Sequence, residues 1–172
     1  MAEGQFDPRE LLAELQRHRV TFLVVGAIAA IAQGSPVPTL DLDVTPSRDP
    51  ENYERLARAL QAVDAKLRLP DGTGLEFPID PRLLAENQSW TLTTRLGVLD
   101  LAFVPAGTGG FDDLRRDAIE VDLGTGTPVL VASLADVIRS KEAAGRPKDI
   151  AQLPALRQTL EVIRERERRP KR

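Results

Sequence analysis

Apolar positions recur along this chain with two periods, three to four residues in some segments and two in others. Asp7 to Arg17 carries Leu11, Leu12 and Leu15 as one stripe, with Asp7 placed to cap and Pro8 at the first helical position, so a helix is predicted there. Val20 to Val25 is a run of β-branched, aliphatic and aromatic residues, which predicts a buried strand. It stops at Gly26-Ala27. Ile28 to Gln33 then predicts a short helix, ended by Gly34-Ser35-Pro36-Val37-Pro38. A second long helix opens at Asp49-Pro50, with Tyr53, Leu56, Leu60 and Val63 facing inward.

Leu67 to Glu86 holds Pro70, Pro78 and Pro81, and is expected to be irregular with at most short strands. The period of two returns in a hairpin: Trp90 to Thr94, a turn at Arg95-Leu96-Gly97, and a return strand from Val98 to Val104. Pro105 to Gly110 reads as a flexible loop. A short helix (Phe111 to Arg116) and strands at Ile119 to Leu123 and Pro128 to Val131 follow. Two helices, Leu134 to Ala144 and Asp149 to about Arg166, close the pattern, and the charged run Arg164 to Arg172 is expected to fray. With no internal repeat or low-complexity linker, residues 1–172 read as one α/β domain: a mixed sheet flanked by helices over about 20–132, and a helical part over about 133–166.

Two short segments break the apolar pattern in the same way. In Pro38-Thr39-Leu40-Asp41-Leu42-Asp43-Val44-Thr45-Pro46, Asp41 and Asp43 share one face of a strand, and Leu40, Leu42 and Val44 the other. In the hairpin, Asp100 and Ala102 oppose Leu99, Leu101 and Phe103. Aspartate is depleted in strands. If the two strands pair, three carboxylates converge, and without cations each raises the others' proton affinity. Hard divalent ions accept oxygen ligands so arranged, and a site of this kind suits a phosphoryl displacement.

Composition narrows the chemistry. The 172 residues include no cysteine and a single histidine, His18, in a charged helix end. That removes thiolate zinc sites, a cysteine nucleophile, disulfides and the usual Ser-His-Asp parts. Any metal is therefore oxygen-ligated, Mg²⁺ or Mn²⁺. A formal net charge of −3 supplies no global attraction to nucleic acid. The longest apolar run, Phe22 to Ala32, is too short to span a bilayer, and the acidic N-terminus does not read as a signal peptide, so a cytoplasmic location is expected.

A strand ending in a glycine turn, thirteen residues from Ile28 to Leu40, then Asp41-Leu42-Asp43 and a later lone Asp100 on a strand, resembles the nucleotidyltransferase superfamily, the DNA polymerase β-like fold. The run Ser133 to Leu156, with its Ser-Lys-x-Ala-Ala-Gly-Arg-x-Lys-Asp core, is similar to the C-terminal part of small bacterial members grouped with the AbiEii-type enzymes, which include toxins of toxin–antitoxin pairs. The resemblance implies that Asp41, Asp43 and Asp100 are the catalytic carboxylates and hold Mg²⁺ on a nucleoside triphosphate, with Asp100 helping to deprotonate the incoming hydroxyl. It implies phosphate contacts from Gly26 and Ala27, and from Lys141, Arg146, Lys148 and Asp149. The implied reaction moves a nucleoside monophosphate onto a hydroxyl of RNA (tRNA first), a protein or a small molecule, releasing pyrophosphate; an antitoxin partner is implied as well. The chain departs from the pattern at Ala27, where a serine is frequent, and in Val37 to Leu40, which carries no basic residue. A catalytically silent binding module and a plain phosphohydrolase are the alternative readings.

Overall fold

Three times along the chain an aspartate precedes a proline, and each time the aspartate side chain caps a helix. Asp7 accepts from the backbone N–H of Arg9, Asp49 from that of Glu51, and Asp80 from those of Arg82 and Leu83. Proline lacks the N–H that a first helical turn leaves unpaired, so the pair closes each helix start at little cost, each cap contributing about 1 kcal/mol. The third cap belongs to a helix, Pro81–Glu86, inside the stretch expected to be irregular. The proline density that argued against order there includes the residue that starts it.

The structure is a computed structural model and describes residues 6–170. Its elements are α1 (Pro8–Arg17), β1 (Phe22–Val25), α2 (Gly26–Ala32), β2 (Asp41–Pro46), α3 (Pro50–Ala62), β3 (Lys66–Arg68), β4 (Gly74–Leu75), α4 (Pro81–Glu86), β5 (Ser89–Thr94), β6 (Gly97–Ala102), α5 (Phe111–Leu114), β7 (Ile119–Val121), β8 (Val129–Val131), α6 (Leu134–Ala144) and α7 (Pro147–Arg168). One mixed sheet runs in the order β4-β3-β5-β6-β2-β1-β8-β7. In it β2 lies antiparallel to β1 and parallel to β6, while β1 lies parallel to β8. The expected α/β architecture, a mixed sheet flanked by helices, is present.

The alternation of β2 and β6 separates the two faces of the sheet. Leu42, Val44, Leu99 and Leu101 are fully buried against α1 and α3, where Leu11, Leu12, Leu15, Leu56 and Leu60 are buried too. Each such leucine contributes about 2 kcal/mol of transfer free energy, which makes the register of both strands expensive to slip. On the opposite face Leu23 of β1 packs against Phe111 and Leu114 of α5. Leu40 departs from the expected inward position: it precedes the strand and is 74% exposed. Thr39 explains the boundary, since its hydroxyl receives the Asp41 N–H at 3.1 Å and donates to the Asp41 carbonyl at 3.0 Å.

Two other expectations are corrected. The 105–110 loop is tied down, with Thr108 bonded to the Pro105 carbonyl (2.8 Å) and Gly109 N–H to Asp113 (2.8 Å). The charged C-terminal run is helical through Arg168; Lys171 and Arg172 lie outside the described residues. Among the described residues no helix is long and apolar enough to cross a membrane.

Candidate active site

Register sets the centre of the site. Asp43 pairs with Val25 on one side and with Asp100 on the other, and Asp100 pairs in turn with Thr91. Directly opposed residues share a face, so one row across β1, β2, β6 and β5 reads Val25, Asp43, Asp100, Thr91. Asp41, two residues before Asp43, lies on the same face.

This convergence is electrostatically costly. Burial, followed by the charges of Asp100 and Asp41, pushes the Asp43 carboxyl from the ordinary 3.8 up to about 7, against the pull of Lys141 and Lys148. Burial and the Asp41 charge push Asp100 up as well, while Thr91, Arg68 and Lys148 oppose them. One Asp100 oxygen, Oδ1, is buried with no hydrogen-bond partner. A buried, unpartnered carboxylate oxygen beside two more acids is the electrostatic complement of a hard cation. Among the described residues, however, no group of three or more His, Cys, Asp or Glu is arranged to hold a metal ion by itself.

The turn after β1 meets the same carboxylate. Gly26 opens α2 with φ +64°, and a Cβ there would stand 2.5 Å from Asp43 Oδ2. Only glycine offers both that backbone conformation and that volume. Gln33, at the end of α2, ties the helix to the far wall: its amide donates to the Ala132 carbonyl (2.9 Å) and accepts from Leu134 N–H (3.0 Å) at the start of α6.

A corner between α6 and α7 forms the basic wall. Gly145 ends α6 in the left-handed conformation, with its N–H on the Lys141 carbonyl at 3.0 Å. Arg146 precedes Pro147 and is held extended, and Pro147 starts α7. The helix therefore begins two residues before the expected Asp149, placing that side chain in its first turn. Asp149 is 1% exposed and binds Arg146 Nε at 2.7 Å and Lys141 Nζ at 3.5 Å. Burial alone would raise its carboxyl, but the Arg146 guanidinium and then Lys141 hold it below the usual carboxylate range.

All nine residues singled out from the sequence, Asp41, Asp43, Asp100, Gly26, Ala27, Lys141, Arg146, Lys148 and Asp149, line one cleft of about 1130 Å³. The sequence reading missed Arg68, Gln152 and Leu40 in the same lining. Arg68 stands in no motif, and β3 had to be known first; Leu40 and Gln152 lie inside the two stretches singled out above, but Leu40 was assigned to the aliphatic face and Gln152 needed the α7 register. His18 takes no part, capping α1 with its ring nitrogen on the Glu14 carbonyl.

No protein-family model matches the chain, and neither does any curated protein. Solved structures do. A protein of Thermotoga maritima assigned as a nucleotidyltransferase matches with a TM-score of 0.54 at 17% identity, over 89% of each chain. The lincosamide antibiotic adenylyltransferase LnuA, bound to lincomycin, matches at 0.58 and 13% identity, over 87% of this chain and 94% of that one. ANT(2'')-Ia in complex with adenylyl-2''-tobramycin matches at 0.55 and 14% identity, over 87% and 85%.

This chain has the nucleotidyltransferase fold. Within that fold the acidic row lies mid-sheet, the glycine turn abuts it, and the α6–α7 corner supplies a basic wall across the cleft. The arrangement suits an anion held between backbone N–H groups and lysines, next to carboxylates able to take a proton.

Proposed function

We propose that this protein transfers a nucleoside monophosphate from a nucleoside triphosphate to a hydroxyl acceptor. The observation that carries the reading is the Asp43–Asp100 pairing, with Gly26 packed against the Asp43 carboxylate. The triphosphate lies between the Gly26-Ala27 turn and the wall of Lys141 and Lys148. Asp149 does not touch phosphate in this reading. It is buried and saturated by Arg146 and Lys141, so its work is to hold those cations in place.

The donor set, three hard carboxylate oxygens with one left unpartnered, fits Mg²⁺ or Mn²⁺ held by Asp41, Asp43 and Asp100. Magnesium is commonly bound through one or two carboxylates and the substrate's own phosphates, so a closed protein cage is not required. When bound, the ion neutralises charge on the reacting phosphates. The acceptor hydroxyl gives its proton to Asp100, the carboxylate of the row nearest β5. Its oxygen bonds to the α-phosphorus, the bond from that phosphorus to the bridging oxygen breaks, and pyrophosphate leaves with the electron pair toward Lys141 and Lys148.

For the acceptor we place an RNA or tRNA 3′ hydroxyl first and a small molecule second; a toxin–antitoxin role belongs to the first choice. The test is thermal stabilisation by each of four nucleoside triphosphates with Mg²⁺, repeated on Asp43→Ala, followed by α-labelled nucleotide with RNA, protein and small-molecule fractions. A shift that the variant abolishes, with label in an acceptor and pyrophosphate released, supports transfer. No shift with any nucleotide supports a silent binding module, and orthophosphate release supports a hydrolase.

A further inference from the structure

The charges around the acidic row differ on its two sides. Lys141 and Lys148 belong to the α6–α7 wall and act on Asp43, which Arg68 does not, while Lys148 also reaches Asp100. Arg68 comes from β3, across β5 from Asp100, at the opposite end of the cleft. Lys66 pairs with Thr93 and Leu67 with Leu92, so the register places Arg68 level with Thr91, which pairs with Asp100. The row Val25, Asp43, Asp100, Thr91 therefore continues to a cation. Arg68 is exposed, and its charge is felt at Asp100.

Neighbouring Lys66 is engaged by Asp64 (3.5 Å) and Glu76 (3.7 Å), whereas among the described residues no carboxylate pairs with Arg68. An arginine that faces a cleft with its five donors unused is built to receive an anion in a fork, and phosphate oxygens match that fork. With the triphosphate on the α6–α7 side, the Arg68 side is where the hydroxyl arrives. This step rests on the transferase reading above.

We infer that Arg68 is an acceptor-recognition residue and that the acceptor carries a phosphate close to its reacting hydroxyl. The same guanidinium repels a polycationic acceptor such as an aminoglycoside. Phosphate beside hydroxyl comes from two sources, a polynucleotide end or a small sugar phosphate. The reaction itself is the one balanced above, with the acceptor phosphate bound and unchanged.

The experiment uses the full chain with α-labelled nucleotide and Mg²⁺, offering a short single-stranded oligoribonucleotide, ribose 5-phosphate, ribose and an aminoglycoside as acceptors. The expected result is label in at least one phosphate-bearing acceptor in preference to ribose and the aminoglycoside; which of the two takes it names the source. Arg68→Ala raises the acceptor KM about tenfold, the scale of one lost charge-assisted contact, and leaves the nucleotide KM unchanged. Arg68→Lys recovers part of the loss and Arg68→Glu deepens it. Equal use of ribose or the aminoglycoside, or an acceptor KM indifferent to Arg68→Ala, overturns the inference, as does nucleotide binding with neither phosphate-bearing acceptor labelled. Absence of nucleotide binding instead overturns the transferase reading beneath it, so the two failures are distinct.

Discussion

A Cβ built on Gly26 would stand 2.5 Å from Oδ2 and 2.9 Å from Cγ of Asp43, so the turn after β1 and the central carboxylate occupy adjoining space that only a hydrogen leaves open. The contact joins the end of one strand to the middle of the next, and the antiparallel pairing of Val25 with Asp43 brings them together.

Gly26→Ala is therefore expected to displace the carboxylate and to strain a left-handed backbone, costing about 2 kcal/mol in stability. Nucleotide-dependent stabilisation is lost with it. Ala27→Ser, one residue on, leaves stability within about 0.5 kcal/mol. Chemical denaturation of the two variants beside the parent checks the contrast.

The pH dependence of stability carries the signature of Asp43. Its folded carboxyl titrates at about 7 against 3.8 when unperturbed, so between those values the folded state holds a proton that the unfolded chain has released. Stability from this group thus falls as pH rises from about 4 to about 7. Asp43→Asn is expected to remove that limb, with little gain at about pH 4 and a gain on the order of 3 kcal/mol at about pH 8. Urea unfolding of both proteins at the two pH values decides it; parallel curves would count against the burial and repulsion that raise the carboxyl.

Asp149 anchors two cations from within the first turn of α7. Asp149→Ala leaves Lys141, 14% exposed in its side chain, without its partner. The expected cost is about 2–3 kcal/mol, together with a weaker nucleotide affinity, because the basic wall loses its fixed geometry. Arg146→Ala takes the 2.7 Å partner from the buried Asp149 carboxylate and leaves it only Lys141 at 3.5 Å, so it is expected to cost about 2 kcal/mol despite the 61% exposure of the arginine side chain. Thermal shifts with and without nucleotide separate the stability loss from the affinity loss.

Asn52 is the buried polar residue on which the α3 start depends. Its amide accepts from Thr21 N–H at 2.7 Å and donates to the carbonyls of Thr21 (2.9 Å) and Ser47 (2.8 Å). Asn52→Ala orphans the Thr21 N–H and the Ser47 carbonyl, while the Thr21 carbonyl keeps the Ser47 N–H at 2.9 Å; the expected cost is about 2–3 kcal/mol, without altered nucleotide recognition in the native state. Equilibrium unfolding gives the first quantity and nucleotide titration well below the melting temperature the second.

Most helices and strands were legible because their determinants are local. Asp-Pro caps, a leucine stripe and the alternation of Leu99, Asp100 and Leu101 each act within a few residues. The exception is instructive. Pro78 and Pro81 were read together as breakers, yet Asp80-Pro81 is the same cap that starts α1 and α3. A proline is a stop or a start according to the residue before it. Leu40 failed for a related reason: alternation was extended one residue past the Thr39 bonds that begin the strand.

The sequence by itself determined that two strands each turn carboxylates away from their aliphatic face, and that a glycine ends a buried strand upstream. It could not determine that these meet, because pairing partners and register depend on contacts among residues far apart in the chain. Only the tertiary structure set Asp43 beside Asp100, wedged Gly26 against the first, folded Lys141 and Arg146 onto a buried Asp149, and carried the row on toward Arg68. The physical reason is that side-chain alternation fixes a face locally, whereas burying Leu42, Val44, Leu99 and Leu101 together is what selects the register that brings the acids into line.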